Sequence, residues 1–125
     1  MSAAKPMREP SPEVVLTKAT VRAADSLALQ GTDLAKVIGV SGATVSRYKS
    51  GNSTISPSSK EGELALLLVR VFRSLDPLVG SDTEMRKAWM HSTNKALGGI
   101  PAKLILRPDG LARTLSYLDG MRAVA

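Results

Sequence analysis

Between Leu34 and Gly51 the chain has room for two short helices joined by one tight turn, and this most constrains its fold. Leu34 and Ile38 share one helix face, and Gly39 follows where that helix must stop. Ser41 then offers an N-cap for a second helix that runs through Val45 and Tyr48 to Gly51. Helices joined so closely cross at a steep angle. A small residue, Ala35, is needed at their closest approach, and a residue tolerant of positive φ, Gly39, at the corner. Val40 plugs the space beneath the turn, and Val45 anchors the second helix to the core. Gly42, Ala43, Thr44, Ser46 and Arg47 are left facing outward near the start of that helix. Small side chains there permit approach to the floor of a DNA major groove, and Arg47 has the fork geometry for a bidentate contact with guanine. Lys49 and the amides at the caps are placed to hold phosphates.

The flanking segments also read as helices. Residues 1–11, interrupted by Pro6 and Pro10, are expected to be a disordered tail. Ser11-Pro12-Glu13 forms an N-cap, a proline at the first helical position and an acidic first turn. Leu16, Ala19, Ala23 and Leu27 continue that helix until Gly31, and Thr32-Asp33 caps the next. Residues 50–59 are polar and aperiodic and read as a linker or extended loop. Leu64, Leu67, Leu68, Val71, Phe72 and Leu75 then form a broad apolar stripe, a core helix or self-association face closed by Asp76-Pro77. Ser81 with Glu84 matches a capping box, with Met85, Ala88 and Trp89 facing inward. Pro101 opens a one-turn helix, and Leu104-Ile105-Leu106 supplies apolar filling. Asp109 caps a last helix with Leu111, Leu115 and Leu118 inward and Gly120 at C′, leaving Met121–Ala125 as a tail. No window alternates with period two and no internal repeat is visible, so the fold class is all-α. The expected domains are a helix-turn-helix module over residues 12–60, packed with a helical domain over 61–125.

Composition removes most catalytic classes. The chain of 125 residues has no Cys and a single histidine, His91, which disfavours thiolate chemistry, His-rich metal sites and most acid–base triads. On a helix His91 and Ser92 point about 100° apart, wrong for a nucleophile–base pair, so His91 reads as a solvated surface histidine. No glycine-rich phosphate loop is present, and neither a cofactor nor a metal is expected. Met85 and Met90 read as packing. The net charge of +6 points to a polyanionic partner. Lys5, Arg8, Arg70, Arg73, Arg86 and Lys87 add salt-dependent attraction to DNA or to an acidic protein. The longest apolar run, Leu64–Val69, is far short of a membrane span, and no signal-peptide stretch opens the chain; a cytoplasmic binding protein is expected.

The second motif lies in the back half. Trp89 reads as a core anchor and Asn94 as a tie for the loop backbone; Gly98-Gly99 makes the bend and Pro101 restarts the helix, with Gly110 ahead of the last one. The run from Leu34 to Gly51 closely resembles the helix-turn-helix of the phage-repressor (Xre) family. Residues 89–104 and Gly110 resemble the toxin-binding domain of the Xre/MbcA/ParS antitoxins, through the run W-x(4)-N-x-x-L-G-G-x-P-x-x-L that begins at Trp89 and ends at Leu104. One departure is Leu106-Arg107-Pro108, where that family often carries a small hydroxyl residue.

The resemblance implies a type II antitoxin. Members neutralise a RES-domain toxin that acts on NAD, covering its cleft with the C-terminal region, while the Xre module binds the operon's own promoter. By that resemblance the partners are a cognate RES-domain toxin and promoter DNA, with a homodimer and a hetero-oligomer with toxin. The toxin-contacting residues would be Asp119, Met121, Arg122, Ala123, Val124 and Ala125. A cleft that accepts the two phosphates of NAD should be lined with Arg or Lys. The terminal carboxylate of Ala125 on a thin apolar tail is then an anionic plug, with Asp119 as a second acid and Arg122 as a partner for a toxin acid. The alternative is a stand-alone dimeric transcriptional regulator whose back half only dimerises or senses a ligand.

Overall fold

The computed structural model describes residues 9–124, so residues 1–8 of the expected tail lie outside the described part; Glu9 and Pro10 carry no regular structure. The described chain is all-helical: α1 Pro12–Ser26, α2 Gly31–Ile38, α3 Gly42–Ser50, α4 Lys60–Leu75, a 3₁₀ turn Asp76–Val79, α5 Thr83–His91, the short α6 Pro101–Leu104, and α7 Pro108–Val124. One isolated antiparallel bridge, Asn94 with Gly99, is the only extended pairing among the described residues.

Caps set most boundaries. The hydroxyls of Ser11, Ser41 and Ser59 accept the amides of Val14, Thr44 and Gly62, closing the first turns of α1, α3 and α4. α1 ends earlier than Gly31. Its last turn is followed by Leu27 and Leu29, both buried, and Ala28 takes φ 57° so that the chain can turn between them. Gly31 is instead the first residue of α2, whose cap is Gln30; Asp33 does not cap the helix but accepts the Gln30 amide at 2.9 Å.

α4 is the axis of the molecule, packing against α1 and α2 on one side and α7 on the other. A helix with neighbours on two sides needs more than one apolar stripe. Ala65, Leu68, Val69, Val71, Ser74 and Leu75 are therefore fully buried, whereas Leu64, Leu67 and Phe72 are only half-buried. Through α4 one hydrophobic core runs from Leu27, Leu34 and Val45 to Met90, Ile105, Leu111 and Leu118. Residues 51–59 are loop, Ser50 being the last residue of α3, but the loop is pinned: Ile55 is buried and its amide donates to Thr17 Oγ1 of α1 at 2.8 Å.

The back half departs from expectation at two places. Ser81 does not cap α5; it takes φ 57° and its hydroxyl donates to Asp76, while Asp82 accepts the Met85 amide at 3.0 Å. The inner stripe of α5 then falls on Arg86 and Met90, one turn apart; Met85 and Ala88 face solvent and Trp89 is half-buried against the core. Second, α7 opens at Pro108 with Asp109 inside the first turn, and it runs through Gly120 to Val124 without stopping. An interior glycine costs a helix only about 1 kcal/mol, and two contacts hold the final turns onto α4. Ser74 Oγ donates to Asp119 Oδ1 at 2.7 Å, and Arg122 donates to Ser74 Oγ at 3.4 Å.

Candidate nucleic-acid interface and toxin-binding motif

The corner between α2 and α3 has the expected construction. Gly39 takes φ 72°, the left-handed conformation that ends α2, and Ala35 and Val45 are buried where the two helices meet. Val40 packs half-buried against the core beneath the turn. With Val45 and Tyr48 turned inward, Gly42, Ala43, Ser46, Arg47 and Lys49 are exposed and Thr44 is half-buried. A chain of polar contacts runs along that surface. The hydroxyls of Ser41 and Thr44 lie 2.9 Å apart, and Arg47 Nη2 donates to Thr44 Oγ1 at 2.9 Å. The Arg47 guanidinium is thus drawn back toward the N-terminal end of α3, the end a recognition helix presents to base edges. Behind it, burial pushes the Tyr48 hydroxyl pKa up, and Glu61 adds to the shift while Arg47 opposes it.

The back-half motif closes on itself. The Asn94 amide donates to the Gly99 carbonyl at 2.8 Å, Asn94 Oδ1 accepts the Leu97 amide at 3.0 Å, and the Asn94 carbonyl accepts the Gly98 amide at 2.9 Å. Gly98 takes φ 75° to complete the loop, and buried Pro101 opens α6. Gly110, in the first turn of α7, approaches α6 so closely that a Cβ there would collide with the Leu104 carbonyl. Arg113 of α7 donates to the Leu97 carbonyl, tying the loop to the last helix. Asn94, Gly98, Gly99, Pro101 and Gly110 therefore build one corner between α5 and α7, while Trp89 packs half-buried against the core.

The remaining candidates are divided between inner and outer roles. Met121, Arg122, Ala123 and Val124 are exposed on the last turn of α7, Val124 to 81%, and Ala125 lies outside the described residues. The Asp119 carboxylate is engaged within the chain, by Ser74 and by Arg70 at 3.5 Å. Of the basic residues expected to attract partners, Arg73 and Lys87 are exposed, Arg70 pairs with Asp119, and Lys5 and Arg8 fall outside the described part.

Arg86 is a correction. It is buried, donates to Asp76 Oδ1 through Nε at 3.1 Å and Nη2 at 2.8 Å, and donates to the Ser26 carbonyl at 3.3 Å, with Phe72 beneath its guanidinium. His91 is exposed but not merely solvated: its Nε2 lies 3.1 Å from the Ala28 carbonyl, which can only accept, so that nitrogen carries the proton. The pairing of Arg86 with Asp76 and the tie made by Arg113 are not legible in the sequence; the one local signal is that Arg86 lies four residues before the core residue Met90. Among the described residues no group of three metal-ligating side chains occurs.

Both halves match protein families. Residues 7–70 match the antitoxin Xre-like helix-turn-helix domain, and residues 74–123 match the antitoxin Xre/MbcA/ParS C-terminal toxin-binding domain. The chain belongs to the Xre/MbcA/ParS family of antitoxins. No curated protein matches it. The two matches meet at the end of α4, so the family division assigns most of this shared helix to the N-terminal module of the antitoxin. A toxin is accordingly its partner through the back half, and the helix-turn-helix points to DNA through the front. No helix among the described residues is long and apolar enough to cross a membrane.

Proposed function

We propose that this antitoxin silences a RES-domain toxin by laying the end of α7 over the toxin's NAD cleft, and that as a dimer it represses its own operon through α3. The supporting observation is the exposed last turn of α7. α7 carries Met121–Val124 past the core on an exposed helical turn, a protruding arm able to enter a cleft. The small side chains of Ala123 and Val124 let this arm pass into a narrow cleft. Asp119, already held by Ser74 and Arg70, steadies the arm instead of acting as a second plug. Arg122 is exposed at the same turn and can exchange its 3.4 Å contact with Ser74 Oγ for a carboxylate of the toxin.

Repression draws on the Ser41–Thr44–Arg47 face, with two copies reading two half-sites because one small module buries too little area for specific affinity. Both activities belong in the cytoplasm. The test is co-expression with the product of the adjacent gene. A stable complex in which NAD turnover is blocked supports the reading. A neighbour that is harmless without this chain would sink it and favour a stand-alone regulator.

A further inference from the structure

The flank of α3 that faces α1 carries charge that neither the fold nor the base-reading face uses. Lys18 and Arg22 lie one turn apart on α1, both exposed, and Lys49 lies opposite them at the end of α3. The three cations surround the edge of Tyr48, whose buried ring floors two adjoining troughs of about 390 and 280 Å³. None of the three takes part in an ion pair among the described residues. Asp25 is the one carboxylate lining either trough, so the cluster keeps a net positive charge. Ser50, Ser53 and Thr54 bring hydroxyls to the rim of the larger trough. Like charges gathered without internal partners repel one another and weaken the fold slightly, a cost that an external polyanion reverses.

Position decides which polyanion fits. Lys49 stands one turn beyond Ser46, on the surface row that also holds Gly42, so the cluster flanks the exposed surface of α3 on the side away from Arg47. It lies on the α1–α3 side of the molecule, whereas α7 packs on α4 and α6 and α5 meets α1 at its far end, around Ser26. We propose that Lys18 and Arg22 of α1, with Lys49, form a seat for duplex DNA backbone phosphates that fixes how α3 enters the groove. This rests on the DNA-binding reading above and adds α1 as a second contacting element. Contacts of this kind position the protein without reading sequence, so they act equally on any duplex.

The experiment is fluorescence anisotropy of the full chain with two duplexes, one from upstream of its operon and one of unrelated sequence, over a range of NaCl concentrations. In K18Q/R22Q the affinity for both duplexes should fall in parallel. The slope of log K against log salt should shrink by about 1.8, or 0.9 for each phosphate lost. K49Q should shrink it by about 0.9 more, with toxin capture by either variant unchanged. A double variant that binds with the wild-type slope overturns the seat while leaving DNA binding by α3 intact. Loss of toxin capture with an unchanged slope also overturns it, by assigning the cluster to the protein partner. Wild-type protein that binds neither duplex removes the DNA reading itself, and the seat with it.

Discussion

Arg86 and Asp76 form a two-nitrogen, one-oxygen ion pair, at 3.1 and 2.8 Å, that joins α5 to the end of α4 and, through the Ser26 carbonyl, to the end of α1. The Arg86 side chain is only 10% exposed, so removing its charge leaves Asp76 and the Ser26 carbonyl poorly satisfied. Arg86→Met keeps the apolar stem over Phe72 but should still lower unfolding stability by about 2 kcal/mol, read from urea denaturation. A loss of only a few tenths would show that the pair contributes nothing beyond packing.

The same pair sets an acid limit. The hydrogen bonds from Arg86, reinforced by Ser81, hold the Asp76 carboxyl below the ordinary carboxylate range. A depressed folded-state pKa means that the contribution is complete above the unfolded-state value, about 3.9, and is lost as pH falls through the folded value. Wild-type stability should therefore drop below about pH 4 more steeply than that of Asp76→Asn, which is weaker at neutral pH but lacks this titration. Parallel curves for the two proteins would remove Asp76 as the cause.

Two glycines of α7 should respond in opposite directions to alanine. At Gly110 the new methyl meets the Leu104 backbone carbonyl, so α6 and α7 must separate at a cost of about 2 kcal/mol or more. At Gly120 nothing lies within 4 Å, and alanine should stabilise the helix by about 0.5 kcal/mol. Thermal melts of the two variants decide the matter.

Arg47→Ala should narrow the difference in affinity between operator and unrelated duplex by about 1–3 kcal/mol, the worth of a good bidentate base contact. The fold should be untouched, because the side chain is exposed and bonds only to Thr44. An unchanged preference would leave base reading to Ser46 and the small residues at the start of α3.

Deleting residues 121–125 should lower the melting temperature only slightly, since Met121–Val124 are exposed and Arg122 gives up only a 3.4 Å contact with Ser74, while toxin inhibition weakens. Full inhibition by the truncated chain at equal stoichiometry would rule out the plug and move the inhibitory contact to the corner built by Asn94 and Gly110.

The sequence carried the elements whose signals are local. A serine cap needs only its own oxygen and an amide three residues on, so Ser11 and Ser41 could be placed without tertiary knowledge, and so could the turn at Gly39. The Asn94–Gly99 loop is equally local, its hydrogen bonds spanning at most five residues. What misled was symmetry of signal. Gly120 has the composition of a helix stop but sits in a helix held by Ser74, and Ser81 has the composition of a cap but turns to Asp76.

By itself, then, the sequence determined that this antitoxin is all-helical, that α2 and α3 form a helix-turn-helix corner, and that the Trp89–Gly110 segment lies in a toxin-binding domain. Each depends on residues within a turn or two of one another. Only the tertiary structure decided that Arg86 faces inward, that Asp119 is engaged, and that Lys18 and Arg22 stand beside Lys49. Those outcomes join residues from 10 to 60 positions apart, and a contact across such a distance exists only once α4 has fixed how the other helices pack.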